Sequence, residues 1–214
     1  MANSKGQDFE RQISRSLSLW WTNGERDDIF WRNRVKITSK TPNAERQLGD
    51  ITTVHTIGIP FVEVFNVELK AGYSKTRAKQ AIKNNEERNK KRAEKGKAPV
   101  PLSVKNTPWD LLEIIDGKST NLTILKFWEQ CKSDAELSGR IPLLIFKRDF
   151  HEPVVCIDMK TKSLLMDYLG TYNENYLYST TENEHLYFFN LDKFLKWIIP
   201  EVVHQIHNSL MKNK

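Results

Sequence analysis

The chain has 214 residues, of which 39% are hydrophobic and 28% charged, with only 9 Gly and 8 Pro. That balance excludes collagenous, disordered and low-complexity sequence, and the length suffices for one self-sustaining core. The formal charge of +6 is unevenly placed: residues 73–105 hold 11 Lys and Arg against 3 Glu, so the other 181 residues are close to neutral. No apolar run nears the roughly 18 to 20 residues of a membrane span, and residues 1–10 lack the apolar stretch of a secretory signal. Two cysteines, Cys131 and Cys156, are too few for a disulfide framework or a zinc site. A cytoplasmic protein is expected, with no membrane partner.

Residues 4–19 open with a Ser4 to Gln7 capping-box spacing and place Phe9, Ile13, Leu17 and Trp20 on one helical face. After the turn at 22–25, residues 28–35 predict a first strand and 38–48 a polar loop. Residues 50–57 predict a second strand, Gly58-Ile59-Pro60 a turn, and 61–69 a third strand, the last two paired as an antiparallel hairpin. The basic stretch 75–97 is rich in helix formers and is closed by Pro99 and Pro101, which predicts a helical arm. Helices are expected over 109–115 and 121–137, the second facing inward with Leu122, Leu125 and Trp128. Strands follow over 142–147, 153–158 and 186–190, then a helix over 192–207 interrupted near Pro200. The fold class is α/β, a mixed sheet flanked by helices. One domain spans 1–214, with a core over about 4–72 and 106–160, a basic helical insertion over 73–105, and a C-terminal strand and helix over 161–214.

A positive strip on a nearly neutral body is the footprint of a protein that neutralises phosphates, which makes nucleic acid the first partner to consider. The chemistry is sought among acid-x-Lys triplets. Chance predicts about three in a chain of this composition, and three occur, so only context discriminates. Asp116-Gly117-Lys118 is ordinary turn chemistry. Asp158-Met159-Lys160 ends a strand without an acid opening a paired strand. Glu68-Leu69-Lys70 closes a strand whose alternation sends Glu68 and Lys70 to one face, and Asp50, just after Gly49, opens the neighbouring one. Two carboxylates, with the Leu69 carbonyl, then offer hard oxygen ligands to Mg²⁺, and Lys70 can orient a water or offset transition-state charge.

With Gly49-Asp50, a gap of 17 residues, Glu68-Leu69-Lys70 and an acid on the first helix, Glu10, the sequence resembles the PD-(D/E)XK, or restriction-endonuclease-like, nuclease superfamily. Over roughly residues 4–150 the element order helix, three strands, helix, strand is similar too. Within that superfamily, Glu10 and the strand at 142–147 look most like archaeal and phage Holliday-junction resolvases. The resemblance implies an α-β-β-β-α-β core, metal binding by Asp50, Glu68 and the Leu69 carbonyl, help from Glu10, a catalytic Lys70, Mg²⁺ with Mn²⁺ as a substitute, and a 5′-phosphate product. It also implies branched or duplex DNA as substrate, a homodimer and a phage connection. Two features depart from the family: Gly49 stands where Pro is usual, and a large insertion follows Lys70.

Ser74, Lys75, Arg77, Lys79 and Lys83 follow the site directly and are candidates for phosphate contacts, as are Arg32, Arg34 and Arg46 around the polar loop. Trp20-Trp21 and Phe30-Trp31 fit the core better than base stacking, and His204 and His207 lack a third metal ligand. Three other readings stay open: a non-catalytic nucleic-acid-binding protein of the same fold, a restriction-type duplex endonuclease, and a partner-binding protein whose basic strip meets an acidic surface.

Overall fold

Alternation along a few apolar runs decides where the core lies. The computed structural model describes residues 3–33, 49–71, 75–101, 123–148, 151–180 and 184–212, and the side chains of all of these except 3–5, 75–82 and 123. The elements are α1 (Asn3–Trp21), β1 (Phe30–Arg32), β2 (Ile51–Thr53), a 3₁₀ turn (Thr56–Gly58), α2 (Ile59–Val64), β3 (Phe65–Ala71) and α3 (Lys75–Ala93). There follow α4 (Thr123–Ser138), β4 (Ile141–Lys147), β5 (Val154–Asp158), α5 (Met159–Leu169), β6 (Tyr176–Thr180), β7 (His185–Asn190), α6 (Leu191–Trp197) and α7 (Pro200–Lys212). Five strands form one mixed sheet in the order β3-β4-β5-β7-β6. β3 and β4 run parallel, Glu68 beside Leu144, and the other pairs are antiparallel. β1 and β2 form a separate antiparallel pair.

Each strand divides its side chains between the two faces, as a period of two requires. Val67, Leu69, Leu143, Ile145, Val155, Ile157 and Phe189 enter the larger cluster with Phe9, Ile13 and Leu17 of α1 and Val203 and Ile206 of α7. Leu144, Cys156, Leu186 and Phe188 face the other way, onto Ile124, Trp128 and Cys131 of α4. The sheet is therefore covered on both sides, the condition under which a parallel pair such as β3 and β4 is stable.

The expected mixed sheet flanked by helices is present, but two local expectations are corrected. First, residues 59–64 are helical: Pro60 sits in the first turn, where its fixed φ and missing N–H suit a helix start, and one turn buries Phe61 and Val64. β3 thus begins at Phe65 rather than at 61. Second, β2 is not hairpin-paired with β3; it pairs with β1, and α2 separates the two strands in sequence. Asp158, the acid of the triplet that ends β5, caps α5, its Oδ1 accepting the Thr161 N–H at 2.7 Å.

Smaller differences follow from the same packing. α1 already runs at Asn3, so Ser4 to Gln7 lie within its first turn, and Trp21 is more deeply buried than Trp20. The inward face of α4 is Ile124, Trp128, Cys131 and Ala135. α5 and β6 were not expected: β6 is largely exposed and pairs only with β7, so it carries no alternating pattern. The break near Pro200 separates α6 from α7 as expected. The helix expected over 109–115 lies outside the described residues. No helix among the described residues is long and apolar enough to cross a membrane.

Trp128 is fully buried and is the largest side chain on the α4 face of the sheet. Trp128→Ala is expected to destabilise the fold by about 3 to 5 kcal/mol through the cavity it leaves, measured as a fall in the urea midpoint at unchanged slope.

Candidate functional site

The backbone of Asp50 is tied to β3 although β2 does not run along it. The Asp50 N–H donates to the Val67 carbonyl at 2.7 Å, and Asp50 Oδ2 accepts the Leu69 N–H at 2.7 Å. On its other side the Asp50 carbonyl accepts the Asn33 N–H at 2.7 Å. Asp50 is therefore fixed against the edge of β3, one residue on either side of Glu68.

Gly49 makes that approach possible. Its φ is +89°, which a proline ring cannot adopt, and this accounts for the absence of the usual Pro. A Cβ there would lie 2.9 Å from Asn66 Oδ1 and 3.1 Å from the Val67 carbonyl oxygen.

Glu68 is 3% exposed. As alternation predicts, it shares with Lys70 the face of β3 opposite Val67 and Leu69, and the two side chains form an ion pair. That face meets α4. Gln130 Nε2 donates to the same Glu68 Oε1 at 2.8 Å, Cys131 Sγ lies 3.8 Å from the Asn66 carbonyl oxygen, and the Lys70 ammonium stands 5.5 Å from the centre of the Phe127 ring. Among the described residues, Asp50 Oδ1 and Glu68 Oε2 accept no hydrogen bond. Each carboxylate keeps one oxygen for another ligand.

Two acids so placed disfavour each other's ionisation. Burial, then the charge of Asp50, push Glu68 up to about 7 from an ordinary 4.5, against the pull of Lys70. Burial likewise raises Asp50, opposed by the Leu69 N–H and by Lys70, with Asp134 adding to the rise. A divalent cation would remove this conflict, so the donor set, two carboxylates and a backbone carbonyl, fits a hard metal such as Mg²⁺. Among the described residues no group of three or more His, Cys, Asp or Glu forms a metal cluster.

The structure thus brings Asp50, Glu68, Leu69 and Lys70 together. Glu10 lies instead against Arg32, Oε2 to Nε 3.6 Å. Lys83 is exposed on α3; the side chains of Lys75, Arg77 and Lys79, and all of Arg34, Arg46 and Ser74, lie outside the described residues. Trp21 and Phe30 are core residues, while Trp31 is 45% exposed. His207 bonds Glu63 at 2.6 Å and His204 packs on Trp21, so neither binds metal with the other. Sequence reasoning missed Gln130 and Asp134. They are one helical turn apart on α4, and that i, i+4 polar pair beside Cys131 was the available signal.

The acids and the lysine that carry the resemblance to the PD-(D/E)XK nuclease superfamily are thus close together in the fold. The chain belongs to the family described as "Phage putative PDDEXK endonuclease", whose model matches residues 97–204, half of its length. The match takes in Gln130 and Asp134 on α4 and most of the sheet, and begins after Asp50, Glu68 and Lys70. No curated protein and no solved structure matches the chain.

A raised acid binds more protons in the folded than in the unfolded state between its two pKa values. Stability without metal should then be greatest below about pH 4.5 in this respect and decline as pH rises toward 7. Urea unfolding in EDTA is expected to show a loss of roughly 3 kcal/mol from Glu68 across that window, and Glu68→Gln should flatten most of the decline. Gly49→Ala is expected to cost about 1 to 3 kcal/mol and to disrupt the site, since residue 49 would have to move away from the Val67 backbone; the thermal midpoint and metal affinity of the variant report both effects.

Proposed function

We propose that the chain is a Mg²⁺-dependent DNA endonuclease, with Mn²⁺ able to substitute, in which Asp50, Glu68 and the Leu69 carbonyl hold the cation. The observation that carries this reading is the pairing of half-buried Asp50 with buried Glu68, one oxygen of each carboxylate free of hydrogen bonds among the described residues, with Lys70 beside it. When bound, the cation would acidify water and offset charge on the scissile phosphate.

The remaining work falls to the protein. Lys70 and Gln130 engage Glu68 Oε1 and leave Oε2 to the cation. The Leu69 N–H fixes Asp50 by its Oδ2, leaving Oδ1. The Lys70 ammonium, held over Phe127, orients the attacking water and stabilises the phosphoryl oxygens while the bond to the 3′ oxygen breaks. The products are a 5′-phosphate and a 3′-hydroxyl. Glu10, anchored by Arg32 on the neighbouring α1–β1 layer, assists from outside the acid pair. The basic α3 supplies affinity for the DNA backbone. Within this reading the preferred substrate is branched DNA, cut by a resolvase-like homodimer of phage origin, because two strands must be cleaved symmetrically.

End-labelled four-way junction, matching duplex and single strand are incubated with the protein in Mg²⁺, Mn²⁺ or EDTA. Metal-dependent cutting is expected, with junction preferred, and Asp50→Ala or Lys70→Ala should reduce it by a hundredfold or more, about 3 kcal/mol of barrier, while DNA binding survives. Equal cutting of plain duplex would replace the resolvase assignment with a restriction-type one. Binding without cutting in every metal would overturn the enzymatic reading in favour of a non-catalytic DNA-binding protein.

A further inference from the structure

α3 ends in a turn that sends the chain back along its own helix. Gly96, with φ +63°, closes the helix, and the Lys97 N–H bonds the Arg92 carbonyl at 2.9 Å. The returning strand of chain is pinned by side chains of α3. Asn89 takes both the N–H and the carbonyl of Val100, at 2.8 and 2.9 Å, and Arg92 Nε donates to the Ala98 carbonyl at 2.8 Å. Along α3 and the turn that ends it lies an open groove of about 430 Å³ lined by Arg88, Lys91, Arg92, Lys95 and Lys97, with Glu87 the one acid on its wall.

The charge in this groove is uncompensated. Among the described residues, Arg88, Lys91, Lys95 and Lys97 make no ion pair. Arg88 and Arg92, and Lys91 and Lys95, are like-charge pairs at i, i+4, each mildly destabilising on its own. Attraction of cations to a helix C-terminus covers only the last turn, and so does not account for Arg88 or for Lys97, which the fold-back adds to the set. A fixed cluster of net charge +4 that repels itself is stabilised by a polyanion. No aromatic residue lines the groove, so the recognition is of backbone phosphates rather than stacked bases.

We propose that this groove is a second DNA-backbone site, distinct from the carboxylate site at Asp50 and Glu68 and set apart from it along α3. The distance from Lys75 to Arg88 is about 20 Å of helix at 1.5 Å per residue. It grips the phosphates of a duplex arm, independent of sequence. The proposal rests on the DNA-directed reading above, though not on cleavage. The groove lies before the residues that match the phage family, apart from Lys97 at the boundary.

The test compares two variants that each remove two positive charges: Lys91→Gln/Lys95→Gln in the groove, and Lys160→Gln/Lys212→Gln on exposed surface elsewhere. Gln matches Lys in helix propensity, and circular dichroism checks that α3 is retained. Affinity of the full chain for a 30-base-pair duplex is measured by fluorescence anisotropy in EDTA across a series of salt concentrations. The groove variant is expected to lose about 1.8 units of salt slope and to bind about tenfold or more weakly at 0.1 M salt, while the surface variant stays near wild type and Lys91→Arg/Lys95→Arg restores binding. A groove variant with the wild-type slope, or an equal loss in both variants, would overturn the proposal and point to an acidic protein or to general charge. Absence of any duplex binding by the wild type would overturn it as well. Cleavage of the same duplex and of a four-way junction in Mg²⁺, run in parallel, separates the two readings: groove-dependent binding without cleavage removes the nuclease assignment alone.

Discussion

The whole arrangement depends on one physical constraint: a buried carboxylate, Glu68, and a half-buried one, Asp50, must be held close together. Loss of solvation shifts both Asp50 and Glu68 upward, and the charge of Asp50 adds to the rise of Glu68. Only a rigid frame keeps them there. Asp50 is fixed by two backbone bonds to β3, at Val67 and Leu69. Glu68 is fixed by the strand itself, whose other face packs Val67 and Leu69 into the main core. Gly49 is what lets the two elements meet, because any side chain at that position would strike the Val67 backbone. The unfavourable electrostatics are thus offset by apolar packing on the reverse side of the same strand.

The site is a joint product of two halves of the chain. The acids and Lys70 come from β3 and the residue before β2, while Gln130, Asp134 and Phe127, which surround them, come from α4. β4, pairing in parallel with β3, brings the second half alongside and keeps α4 over the site. The family match covers this second half. Similarity there concerns the supporting sheet and its covering helix, whereas the acidic side chains rest on their own geometry.

Much of this could be read in the sequence because the signals were strong and local. Short continuous apolar runs over 142–147 and 153–158 marked β4 and β5, and the period of two in β3 put Glu68 and Lys70 on one face. The route by which Asp50 reaches Glu68 could not be read. Val62 and Val64 favour a strand by propensity, but burial of Phe61 and Val64 together with Pro60 at a helix start decides for one helical turn. The hairpin is thereby lost, and Asp50 meets β3 through backbone bonds at its edge instead. Gln130 escaped because a polar pair four residues apart, such as Gln130 and Asp134, is common on any solvated helix face; its distance to Glu68 is what singles it out. β6 escaped because it is exposed and pairs on one side alone, leaving no hydrophobic period to detect.

Charge of opposite sign is concentrated in two places that do different work. The acid pair is small, buried and short-ranged, suited to holding one cation in a fixed geometry. Among the described side chains, Arg88, Lys91, Lys95 and Lys97 are exposed and make no ion pair, suited to long-range attraction that salt screens. If the two sets adjoined without separation, the lysines would neutralise the carboxylates and compete with a metal, as Lys70 alone already does in part by lowering the shift of Glu68. Among the described residues Lys70 is the lysine at the acids, and Arg88, Lys91, Lys95 and Lys97 stand further along the chain, on α3 and the turn that ends it. The insertion after Lys70, a departure from the family's pattern, thus concentrates positive charge in the sequence while Lys70 is the cation paired with Glu68 among the described residues.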